Sequence, residues 1–214
     1  MGDWAEYAAA WTLFLLTHAV PARPRIKSWL VVRLGRHGYG LVYSAISILA
    51  LAWLIGSAGR APYVEIWLWA PWQIHVTQVA MGLVCLLLAL AIGAPNPFSF
   101  GGARNERFDP SRPGLVGLTR HPILLALTAW ALGHLVSNGD LAHVLMFGGF
   151  AGFALVGMGL IDRRRRREMG EAWHRLQPAP TLRGIGGPLR WLAAGVLWWA
   201  FATLHPAVIG PVVV

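Results

Sequence analysis

Six apolar blocks, with positive charge confined to alternate segments between them, restrict this chain to a helical membrane fold. The blocks run 4–20, 38–57, 72–94, 121–137, 141–161 and 188–209. A bilayer core takes about 20 apolar residues per helix, with ~17 as a lower bound. The first and fourth blocks sit at that bound. Between the first and second lie Arg23, Arg25, Lys27, Arg33 and Arg36. Between the third and fourth lie Arg104, Arg107, Arg112 and Arg120. Between the fifth and sixth lie Arg163 to Arg167, Arg175 and Arg183, with Arg190 in the first turn of the sixth, on the same side. Of all 18 Lys and Arg residues, only Arg60 falls on the other side. Lys and Arg collect on the cytoplasmic side. The expected fold is therefore all-α: a single transmembrane domain over residues 1–214, with six spans and both termini on the non-cytoplasmic side. Trp4, Trp67, Trp69, Trp72 and Trp191 fall where interfacial anchors belong.

Composition agrees. The chain is 56% hydrophobic and 13% charged, whereas a soluble domain carries about 25% charged residues. Its net charge of +9 does not indicate nucleic acid, because the basic residues are dispersed between apolar blocks. The "DRRRRRE" run after the fifth block reads as a stop-transfer signal and an anchor for anionic lipid. Membrane lipids are thus the expected partners, and nucleic acid is not. Asp3 and Glu6 precede any basic residue, so no cleavable signal peptide is expected. The lone Cys85 lies within an apolar block, which excludes an intrachain disulfide and a cysteine-based metal site.

Histidine is where chemistry is expected. Ionisable residues within a membrane are costly and mark function by default, and neutral imidazole is the commonest metal ligand. At a rise of ~1.5 Å per residue, the histidines sort by depth. His18 and His121 lie towards the inner face, with Arg120 beside them. His75, His134 and His205 lie in the outer half, with His143 near them. His37, His143 and His174 are expected to be interfacial side chains. Depth alone pairs His18 with His121, or His134 with His75 or His205. Bis-His ligation in a helical bundle holds b-type haem. Arg120, Asp162 and Arg163 form a candidate inner-face site for an anion or a haem propionate. The local alternative for Asp162 is an ion pair with Arg163 or a neighbour. Residues 95–119, rich in Pro and Gly, form a long loop of the kind that often carries function.

The ordered motifs resemble a known family. "FLLTHAV", "GRHGYGLVYSAISIL", "QIHVTQ", "TRHPILLALTAWALGHLVSNGD", "DRRRRREMGEAW" and "LHP" resemble the NnrU family of bacterial membrane proteins over nearly the whole chain. More distantly, they resemble plant zeta-carotene isomerase. The resemblance implies the bacterial inner membrane, and a setting near nitrite and nitric oxide respiration. The isomerase relationship implies haem b, a lipid-soluble substrate and cis–trans isomerisation. It carries the axial ligands over to His18 and His134. In the isomerase a cysteine three residues before the second ligand takes part in a redox ligand switch. Here that position is Ala131, so the switch lacks its thiol.

Two other functions stay open on the sequence. Membrane methyltransferases that use S-adenosylmethionine share the Arg-His-Pro start and a Gly-x-x-aromatic end, here Gly170 to Trp173. They carry paired Glu residues where this chain has Ile161 and Asp162. The small residues of "FGGFAGFALVGMGL" permit close helix contacts, as an accessory subunit of a respiratory complex would need.

Overall fold

A computed structural model describes residues 3–208. Residue 209, which ends the sixth expected block, lies outside the described residues. Among those described, regular structure is helical: α1 Trp4–Ala19, α2 Pro24–Arg60, α3 Trp72–Ala91, α4 Pro122–Ser137, α5 Leu141–Met169, α6 Glu171–Arg175 and α7 Pro188–Val208. Short 3-10 turns occupy Asn105–Arg107 and Gly114–Gly117. Among the described residues, three helices are long and apolar enough to cross a membrane: α2, α3 and α5. α4 is apolar but only 16 residues long. Together these apolar helices define a membrane protein.

The helices start where local chemistry dictates. The Asp3 carboxylate accepts the Ala5 N–H at 3.0 Å, capping α1. Pro24 and Pro122 open α2 and α4, where a missing N–H costs nothing. α2 differs from its expected block. It begins at Pro24, so the basic segment after the first block is itself helical. Gly35, at φ 70° and ψ 168°, interrupts it. The helical basic segment stops at that break, and the apolar run continues beyond it.

The chain divides into two compact units. The first comprises Met1–Ile66 with Asp140–Met146. In it α1 packs on α2. Tyr39 Oη donates to the Pro21 carbonyl at 3.2 Å, and Tyr7 Oη donates to the Ala142 carbonyl at 2.7 Å. Glu6 accepts from Arg60 Nη2 at 2.5 Å and from Trp53 Nε1 at 3.1 Å.

The second unit comprises Trp67–Gly139 with Phe147–Val214. α3 packs against both α4 and α7. Its core gathers Val84, Leu87, Leu90, Leu115 and Ala126. Polar side chains join α3 to α4. Thr77 Oγ1 donates to the Gly133 carbonyl at 2.8 Å, and lies 2.6 Å from Ser137 Oγ. Small side chains let helices approach in this way. A Cβ on Gly133 would stand 2.6 Å from Ala80 Cβ. We expect Gly133→Ala to destabilise the protein by about 1–3 kcal/mol, the usual cost of overpacking. Gly148→Ala, where nothing lies within 4 Å, should stay within about 0.5 kcal/mol of the parent, as surface changes do. Thermal unfolding in detergent measures both. Equal melting temperatures would contradict the tight α3–α4 contact.

Candidate functional site

Two clusters in the second unit carry chemistry. The first lies between apolar helices. Trp130 and His134 stand four residues apart on α4 and so share a face. His134 Nδ1 donates to the Trp130 carbonyl at 2.9 Å, which leaves Nε2 as the ring's lone-pair nitrogen. Around the ring stand Trp130 at 5.2 Å, Phe147 at 5.3 Å and His205 at 6.3 Å, between ring centres. His205 comes from the last turn of α7. Its Nδ1 is buried and has no hydrogen-bond partner. Pro206 follows it inside the helix and cannot donate to the Ala202 carbonyl one turn back. Ile74, Thr77, Gln78 and Met81, all on one face of α3, close the site together with Trp198, Phe201 and Ala202. α4 and α7 both pack on α3, which explains why His134 and His205 meet.

This arrangement suits a metal held by imidazole. A ligating histidine usually donates its second ring N–H to a carbonyl or carboxylate, as His134 does to Trp130. A buried polar atom without a partner calls for a ligand or a water, and His205 Nδ1 is such an atom. Two imidazoles about 2 Å either side of one metal place their ring centres roughly 6 Å apart. The observed 6.3 Å matches. The cavity between them is about 40 Å³, enough for an iron centre or a few waters. A porphyrin requires lining side chains to swing aside. Trp198 and Phe201, 39% and 47% exposed, are the ones with room to do so. Among the described residues no three or more His, Cys, Asp or Glu side chains gather to hold a metal ion. A metal here would therefore need a macrocycle or other outside ligands.

The second cluster surrounds the Arg-His-Pro triplet. Asp162 on α5 accepts from Arg120 Nε at 3.1 Å and Arg120 Nη2 at 2.5 Å. It also accepts from His121 Nε2 at 2.9 Å. The Asp162 carboxylate holds the Arg120 guanidinium above its ordinary range, so Arg120 stays charged. His121 is only 4% exposed, and its Nδ1 lies 3.0 Å from Ser99 Oγ. Asn96 Nδ2 donates to the Arg120 carbonyl at 3.0 Å, and Asn96 Oδ1 accepts from Phe98 N at 3.0 Å. Arg120 also lies over the Trp173 ring at 5.4 Å, and Trp173 packs on Phe98. The triplet therefore fastens the 95–119 loop to α5 and α6.

The other expected residues fall elsewhere. Asp162 turns to Arg120 and His121, not to Arg163, because successive helical residues point in different directions. Arg163 is exposed. Both ring nitrogens of His121 are engaged, so neither is left for a metal. His75 is exposed on α3 and does not line the His134 cavity. His18, in the first unit, donates from Nδ1 to the Phe14 carbonyl at 2.8 Å and stacks on Phe14 at 4.1 Å. His143, also there, pairs with Asp140 at 2.7 Å. Sequence reasoning passed over Asn96, Ser99 and the aromatic lining of the His134 cavity. Asn96 could have been found, since an Asn bonding the backbone two residues on is a familiar loop device. Trp198 and Phe201 carry no such local signal.

A helical membrane protein with a half-buried histidine pair between apolar helices is the class these features define. The NnrU protein family model matches residues 6–213, and the chain belongs to that family. Comparison with curated proteins and with solved structures found no match.

Proposed function

We propose that this NnrU-family protein is a haem-b-binding integral membrane protein of the bacterial inner membrane. In this reading it has six spans with both termini on the non-cytoplasmic side, and it takes a lipid-soluble substrate or redox partner. The observation that carries the reading is the His134–His205 pair: one ring oriented through Trp130, the other with a buried Nδ1 lacking a partner, at a spacing suited to one metal between them. His134 would hold the iron. His205 is favoured as the second ligand by proximity, and His18 by the resemblance to zeta-carotene isomerase. Bound haem supplies one-electron redox and Lewis acidity at iron. The chain's own residues orient His134 through Trp130 and keep the site apolar through Met81, Phe147, Trp198 and Phe201. Isomerase-like chemistry and a place near denitrification remain part of this proposal by resemblance.

A methyltransferase would need Arg120 and His121 for the carboxylate of its cofactor, and Asp162 already engages both side chains. The test of the haem reading is the absorption spectrum of the full chain purified after expression with ample haem. A Soret band that moves on reduction is expected. A colourless protein overturns the reading. In the same preparation, His205→Ala is expected to change the band and His75→Ala to leave it intact. The reverse pattern would move the second ligand to His75.

A further inference from the structure

At the loop end of the second unit lies a cavity of about 200 Å³, separate in its lining from the His134 site. Its walls come from the turn after α3, the loop around Arg104 to Val116, and the Gly184–Gly186 turn before α7. The two loops meet backbone to backbone. Gly114 N donates to the Arg183 carbonyl at 2.8 Å, and Ala179 N donates to the Pro110 carbonyl at 3.0 Å. A Cβ at Gly184, whose φ is +81°, would stand 2.9 Å from the Arg112 carbonyl. The cavity is thus built by close-packed backbone.

Its charge is one-sided. Five charged residues line it: Arg104, Arg107, Arg112, Arg190 and Asp109. Arg190 is committed to the end of α3, where its Nη1 donates to the Ala89, Leu90 and Ile92 carbonyls. Asp109 is committed to Ser111, accepting from its backbone N and its Oγ, each at 2.8 Å. Arg104, Arg107 and Arg112 are exposed. Among the described residues their side chains make no hydrogen bond and no ion pair. Arg104 is also held at φ 53°, a left-handed conformation that no other described non-Gly residue adopts. Such strain persists only where the surroundings enforce it. The floor is apolar, formed by Leu90, Leu115 and Val116.

We propose that this cavity binds a phosphate group through Arg104, Arg107 and Arg112. Guanidinium groups match phosphate oxygens in bidentate geometry, and three on one cavity, hydrogen-bonded to nothing among the described residues and with only the Asp109 carboxylate acting on one of them, Arg112, suit a phosphate monoester or diester. A volume of about 200 Å³ is below the ~300–1,000 Å³ of pockets that bury drug-sized ligands. That size admits a phosphate with a small substituent and excludes a whole nucleotide cofactor. The apolar floor suits the glyceryl portion of a phospholipid as well as a small soluble phosphomonoester.

The test uses the full chain and does not depend on haem. In uncharged detergent, thermal unfolding is followed with inorganic phosphate and with glycerol 3-phosphate. In nanodiscs, native mass spectrometry counts retained phosphatidylglycerol against phosphatidylcholine. The site is removed by the triple change Arg104→Gln, Arg107→Gln, Arg112→Gln. An equal charge change outside the cavity lining, at exposed arginines, is Arg23→Gln, Arg25→Gln, Arg36→Gln. Stabilisation by the soluble phosphates identifies a free ligand, and retention of phosphatidylglycerol alone identifies a headgroup. In either case the cavity variant should lose at least tenfold in affinity or occupancy while the control variant keeps it. Equal losses in both variants would reduce the effect to surface charge and overturn the proposal. So would the absence of any response to all three probes. Because Gln keeps the lining polar and the three positions are exposed, the variant is expected to fold; circular dichroism checks this. If it does not fold, Arg107→Gln and Arg112→Gln singly must each weaken binding, and unchanged binding in both overturns the proposal.

Discussion

His134→Ala is expected to lower haem retention at least tenfold and to remove most of the Soret absorbance of the purified protein. Loss of a group that merely orients a ligand typically costs 10–100-fold in metal affinity, and His134 is proposed as the ligand itself. Its ring is fixed by the 2.9 Å bond from Nδ1 to the Trp130 carbonyl and by Trp130 and Phe147 packed beside it. Alanine removes the donor nitrogen but keeps α4 helical, since Ala has the highest helix propensity. Circular dichroism should therefore change little while the visible spectrum collapses. A mutant that keeps the parental spectrum would remove His134 from the site. His18→Ala and His205→Ala, compared in the same way, decide which is the second ligand. Whichever abolishes the low-spin, six-coordinate signature in magnetic circular dichroism holds that position.

Asp162→Ala is the substitution expected to destabilise the fold most. It strips three charge-assisted or strongly polar hydrogen bonds at once, from Arg120 Nε, Arg120 Nη2 and His121 Nε2. It also leaves the buried His121 ring facing an empty position. Breaking a fully buried pair by removing one partner costs about 3–5 kcal/mol. The Asp162 and Arg120 side chains are 26% and 36% exposed, so solvent screens part of that cost. We expect about 2–3 kcal/mol, the worth of one to two hydrogen bonds to a charged group. Glu168→Ala is the contrast. Glu168 pairs with Arg164 and Arg165 on an exposed helix surface, and its loss should cost under about 1 kcal/mol. Chemical denaturation in detergent measures both, and proteolysis within 95–119 reports whether the loop has come loose. If the two variants unfold alike, Asp162 does not fasten the loop.

Helix content and the membrane character were legible in local sequence. Apolar blocks long enough for a bilayer, Pro at the openings of α2 and α4, and Asp3 ahead of α1 are properties of neighbouring residues. The helical basic stretch before Gly35 was less legible. Its charges mark it as a segment between spans, and charge does not say whether the backbone there coils. The candidate site was half legible. Depth along each helix brought His134 and His205 into one group with His75. Only the faces of α3, α4 and α7 that meet determine that His205 stands beside His134 while His75 is exposed.

What the sequence determined by itself is the apolar blocks with basic segments between them, the helices they form and the family. What only the tertiary structure decided is partnership: His134 with His205, Asp162 with Arg120 and His121, and three arginines around one loop cavity. The physical reason is the range of the interactions. A helix's period and caps depend on residues within a few positions of each other. Asp162 and Arg120 are 42 positions apart, and their meeting depends on how helices pack, which no local window contains.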